Sequence, residues 1–168
     1  MLIPLVLAAA LIVCSVTDIR DRRIPNLVTF PLAAAALVAN AAGSFDAALA
    51  APLGAIGLPA SLAGLSACFA LMLANHLFAG HGAGDVKLAA GIGGCVGFEV
   101  GLITLAYAYM VAGLVAGGML LARRYRRATP DADRGVPLAP CLAAGCGLAL
   151  LWLPSWQPSL PVTLWGAS

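Results

Sequence analysis

Two acidic residues hold positions that could do chemistry. Asp18 closes the first apolar run, within Thr17-Asp18-Ile19-Arg20-Asp21-Arg22-Arg23-Ile24-Pro25-Asn26. Asp85 follows the glycine-rich break Gly80-His81-Gly82-Ala83-Gly84 that separates two other long apolar runs. An acid at the edge of a hydrophobic span carries an insertion cost of about 2.5 to 3.5 kcal/mol, so its presence points to function. Two carboxylates a few ångströms apart cannot both ionise cheaply; they share one proton and hold an acid and a base at once. Aspartic peptide hydrolysis requires that pair. The ionised group takes a proton from water, which attacks the scissile carbonyl, while the protonated group polarises the carbonyl oxygen. Glycines at 80, 82 and 84 would let a substrate backbone approach. On chemistry alone the same two acids fit a small proton-coupled transporter with Asp18 and Asp85 on an ion path. A non-catalytic subunit of a membrane secretion machine, or salt bridges to Arg20 or Lys87, would also present them.

The elements that must position these acids are membrane helices. Of 168 residues, 62% are hydrophobic and only 10% charged, which excludes an ordinary soluble domain. About 20 apolar residues span the hydrocarbon core, so the chain has room for five to seven helices and is read as a single all-α domain over residues 1–168, embedded in a lipid bilayer. The five cysteines, Cys14, Cys68, Cys95, Cys141 and Cys146, sit in apolar runs without a Cys-x-x-Cys pair, the pattern of small core residues. No loop carries metal-ligand spacing, so neither metal nor cofactor is expected. A net charge of +2 gives no reason to expect a nucleic-acid partner.

In chain order, residues 1–17 form the first span rather than a signal peptide, since a basic leading region is missing. Pro25 and Asn26 mark a helix start, and residues 27–45 are the second span. Pro52, Gly54, Gly57 and Pro59 interrupt residues 47–59, an interfacial or re-entrant piece, before a third span at 60–78. His76 and His81 frame the exit toward Asp85, as proton relays or as polar residues near the headgroups. Residues 88–122 carry one charge, Glu99, and as a single helix would reach about 52 Å, so a turn near Glu99 is expected, giving two spans, the first short. Residues 136–153 are the sixth span, with Trp152, Trp156 and Trp165 as an aromatic anchor. The basic residues fall in the loops around Asp18 and Asp85 and in 123–134; with the Glu99 turn, all three lie on the cytoplasmic side and both termini outside. Asp18 and Asp85 then share one membrane face and can meet. Gly93, Gly97 and Gly101, and Gly113 and Gly117, recur every four residues, a pattern for close helix packing.

The segment containing Asp18, the stretch Gly82-Ala83-Gly84-Asp85-Val86-Lys87-Leu88, and Val136-Pro137-Leu138-Ala139-Pro140-Cys141-Leu142 resemble, in order, the three signatures of the type IV prepilin peptidase family. The resemblance implies a six-helix intramembrane aspartic peptidase of the inner membrane that cuts the leader from pilin-like precursors at the cytoplasmic face, with the pilus assembly machinery as a further partner. It implies that Asp18 and Asp85 are the catalytic pair, that Gly82 and Gly84 are the motif glycines, and that Lys87 is a supporting cation or a snorkelling one. Asp21 reads as a solvated loop charge. The third signature is altered, with Leu138-Ala139 where an aromatic-glycine pair is usual. The chain resembles the short branch that serves Flp-type tight-adherence pili, without the region associated with N-methylation, so the resemblance carries the peptidase and leaves methyl transfer in doubt.

Overall fold

The computed structural model describes residues 2–79, 82–125 and 137–152. These form seven helices: α1 (Leu2–Asp21), α2 (Asn26–Phe45), α3 (Ala47–Leu53), α4 (Leu58–Ala79), α5 (Ala83–Val96), α6 (Phe98–Tyr125) and α7 (Leu138–Trp152). The six apolar segments expected from the sequence are thus helical. α1, α2, α4 and α6 are long and apolar enough to cross a membrane. α5 and α7, with 14 and 15 residues, reach about 21 to 23 Å, short of a hydrocarbon core of about 30 Å. Exposed Leu5, Ile12, Leu27, Val38 and Leu114 line the outer surface, as lipid-facing side chains must.

α5 is the hub. It packs against α4, α2, α6, α7 and α1, and from Leu88 to Val96 its residues are buried. That centrality follows from composition, because small residues let neighbouring backbones come close. A Cβ on Gly93 would overlap the Gly64 carbonyl oxygen of α4, and one on Gly101 would sit 2.8 Å from Cys68 Sγ. Gly113 and Gly117 repeat the same spacing yet would meet nothing within 4 Å. The packing role expected for them fails because this part of α6 turns apolar side chains such as Leu114 outward, away from the described helices.

The expected turn near Glu99 falls two residues earlier. Gly97 separates α5 from α6 at φ +85°, where a side chain would be strained, and Glu99 lies in the first turn of α6. In the stretch left open as interfacial or re-entrant, α3 is a seven-residue helix capped by Asp46, whose Oδ1 accepts from Ala48 N at 2.9 Å. Beyond α3, the buried Asn40 fixes the far end of α5. Its Nδ2 donates to Ala36 O at 2.8 Å and Gly94 O at 3.3 Å, and its Oδ1 accepts from Ile56 N at 2.7 Å. Ser61 Oγ donates to the same Gly94 O at 2.6 Å. The five cysteines are free and buried, as expected of core residues. The first residues of the basic segment 123–134 continue α6 to Tyr125, while residues 126–134, His81, Trp156 and Trp165 lie outside the described residues.

Candidate active site

The buried face of α1 runs Ile3, Leu7, Ala10, Leu11, Cys14, Asp18, a stripe with helical spacing whose last member is a carboxylate. The apolar packing that buries Leu11 and Cys14 therefore also draws Asp18 inward, leaving it 8% exposed. It lies one turn before the end of α1. Asp85 is half-buried in the first turn of α5, where a carboxylate complements the helix dipole and its own N–H donates to Gly82 O at 3.1 Å. α1 ends and α5 begins at the same end of the bundle, so both acids line one cleft of about 380 Å³. Gly82, Gly84, Lys87 and Asn26 line it too, with Arg22, Arg23 and Ile24. All five residues singled out from the sequence meet there.

Each supporting residue has a definable geometry. Lys87 Nζ donates to Asn26 Oδ1 at 2.9 Å and stands 4.9 Å from the centre of the Phe30 ring, a cation–π contact. It ties the start of α2 to the first turns of α5. A Cβ on Gly82 would approach Asp85 Oδ2 to 3.1 Å, so this glycine keeps space beside the carboxylate. Gly84 differs from the sequence expectation of openness to substrate: a Cβ there would come within 2.9 Å of Ile24 Cβ. Its small size lets α5 close against the α1–α2 connection. Arg22, in that connection, has φ 54°, left-handed for a residue with a side chain, and its N–H donates to Asp18 O at 3.2 Å. Backbone strain of this kind gathers at functional sites. Asp21 is exposed, consistent with a solvated charge.

Two contributors escaped the sequence reading. The sequence presents Asn26 as a helix start and as the last residue of the first signature segment, although an amide one residue past a proline in a polar segment is also a side-chain hydrogen-bonding group. Ala139 was noticed only as a departure from the third signature. Its N–H donates to Asp18 Oδ2 at 3.0 Å, across 121 residues of chain. No side-chain type could have announced that bond, because the donor is backbone.

The arrangement brings a buried carboxylate and a half-buried one to a polar cleft rimmed by three cations, at the end of an apolar helix bundle. A pair of that kind can exchange protons with a water and a carbonyl placed between them. Residues 5–117 of the chain match the family model described as type IV leader peptidase family. A protein of Aeromonas hydrophila named prepilin leader peptidase/N-methyltransferase is 29% identical over 148 residues, which cover 88% of this chain and 48% of that protein. Proteins of the same name from Pseudomonas aeruginosa and Bacillus subtilis are 30% and 31% identical, over 88% of this chain and 48% and 54% of theirs. The chain thus spans about half the length of the curated relatives it matches. No solved structure matches it.

Proposed function

The chain belongs to the type IV leader peptidase family, and from that premise we propose that it is an intramembrane aspartic endopeptidase. Its substrates are pilin-like precursors, of the Flp type, whose leaders it removes at the cytoplasmic face of the inner membrane before they pass to the pilus assembly machinery. The observation that carries this reading is the shared cleft of Asp18 and Asp85, two acids 67 positions apart in sequence.

One carboxylate takes a proton from water as the water oxygen attacks the scissile carbonyl carbon. The other gives its proton to the carbonyl oxygen. Lys87 and Asn26 brace the start of α5 beside the reacting groups, and Gly82 leaves the Asp85 carboxylate room. Arg22, Arg23 and Lys87 form a cationic rim, and the basic character of the loops around Asp18 and Asp85 supports a cytoplasmic location for this end.

The experiment is cleavage of precursors by the purified protein in lipid or detergent, read by mass spectrometry of both products. A shortened pilin and a released leader are expected. Cleavage of larger type IV precursors but not Flp-type ones would overturn the substrate class alone, and failure with every precursor class would overturn the peptidase reading.

A further inference from the structure

The turn that ends α1 is one that glycine makes without strain, and here an arginine makes it. Arg22 has φ 54°, and among the described residues no other residue with a side chain has positive φ. Its N–H donates to Asp18 O at 3.2 Å, the single bond that closes a helix on a left-handed residue. A side chain in this conformation crowds the neighbouring carbonyl, a penalty that glycine escapes. The turn is therefore strained, and it is tied to the backbone of Asp18 itself.

What the strained turn brings is position. Arg22 is exposed, and it lines the cleft of about 380 Å³ together with Asp18, Asp85 and Gly82. The other two cations of the cleft have further surroundings. Lys87 bonds Asn26 and stands over Phe30, and Arg23 also lines the neighbouring cleft with Thr17, Asp21 and Pro25. A guanidinium presents a fixed fork of N–H donors and no acceptor, so it suits carbonyl oxygens. A peptide strand lying across two carboxyl groups offers such oxygens whatever its side chains are. We propose that Arg22 is a substrate-binding residue, that its guanidinium donates to backbone carbonyl oxygens of the precursor beside the scissile bond, and that the left-handed turn holds it in the cleft for this contact. This rests on the peptidase reading above and deepens it.

The first test compares Arg22→Gly, Arg22→Ala and Arg22→Lys in the full chain, each assayed for precursor cleavage and for melting temperature in detergent. Glycine removes the guanidinium and suits the turn. Arg22→Gly should therefore melt no lower than wild type, while KM for the precursor rises at least about tenfold and kcat stays within about threefold. Arg22→Ala should share that KM and melt below Arg22→Gly. Arg22→Lys keeps the wild-type strain and the charge but not the fork, so its KM should fall between wild type and Arg22→Gly. A turn that only ended α1 would be relieved by glycine, so Arg22→Gly with unchanged or lower KM overturns the proposal. A loss that falls mainly on kcat overturns it as well, because Arg22 would then act on the acids and not on bound substrate.

The second test changes the substrate and decides the chemistry of the contact. Precursors whose acidic residues are replaced by the matching amides still carry every backbone carbonyl. The KM penalty of Arg22→Gly, or of Arg22→Lys if the glycine variant does not accumulate in the membrane, should be the same for these precursors as for the unaltered ones. A penalty that disappears with the acidic residues would show that Arg22 reads a side-chain carboxylate, and overturns the backbone assignment. Wild-type protein that cleaves no precursor would instead defeat the peptidase reading itself, together with this one.

Discussion

Lys87 Nζ and Asn26 Oδ1, 61 positions apart, meet at 2.9 Å, and this bond joins two of the three signature segments across the mouth of the cleft. Hydrogen bonds of this kind contribute about 0.5 to 1.5 kcal/mol net, up to about tenfold in a rate or equilibrium. Lys87→Met and Asn26→Leu should each lower kcat/KM for precursor cleavage by about that factor. Because both act through one bond, the double variant should be no worse than the poorer single one. Losses that simply add would show that the two residues work independently.

Asp18→Ala and Asp85→Ala should each reduce precursor cleavage by more than about 100-fold while the protein still inserts, and the double variant should be no worse than either. Asp21→Asn, with the same charge change in an exposed position of the same segment, should keep most of the activity. Equal loss in Asp21→Asn would mean that loop charge or topology had been measured, not chemistry.

An impermeant thiol reagent can report sidedness, since the native cysteines are buried. Applied from outside, it should label Asp46→Cys but not Arg126→Cys. Labelling at residue 126 would invert the orientation and place the cleft on the outer side.

Chelation should leave cleavage intact, because the proposed chemistry uses carboxylates, water and no metal. Loss of activity with EDTA, restored by one divalent ion, would turn Asp18 and Asp85 from a proton-sharing pair into metal ligands.

Glycine packing gives a prediction independent of activity. Gly93→Ala forces a Cβ into the Gly64 carbonyl, and overpacking of this kind costs about 1 to 3 kcal/mol, lowering the melting temperature in detergent. Gly117→Ala meets nothing and gains up to about 1 kcal/mol of helix propensity, so it should be neutral or stabilising. Equal destabilisation by both would contradict the α4–α5 packing.

Sequence made the chemistry legible where side-chain type carries it. Two acids at span boundaries, a proline-asparagine helix start and uncharged runs of membrane length were enough to place Asp18, Asp85 and the six apolar helices. It was less informative where partners or backbone conformation decide. The turn expected near Glu99 is there, but its exact residue is set by glycine rather than by the charge: the chain turns at Gly97, whose positive φ favours a residue without a side chain. Spacing alone made Gly113 and Gly117 look like Gly93 and Gly101, because periodicity defines a face and leaves open what lies against it. The Ala139 N–H bond to Asp18 needed coordinates altogether.

The way α5 is held makes it a lever with unequal ends. At Gly94 its carbonyl is gripped by Asn40 and Ser61 beside the backbone contact of Gly93 with Gly64, so that end acts as a fulcrum. Asp85 rides nine residues away, on an arm of about 13 Å, where Lys87 bonds Asn26 and Gly84 lies against Ile24. A tilt of about 5° would carry its carboxylate roughly 1 Å, a displacement that can change a catalysed rate by about 100-fold. The close glycine packing at the far end of α5 therefore helps set how accurately the two acids are spaced.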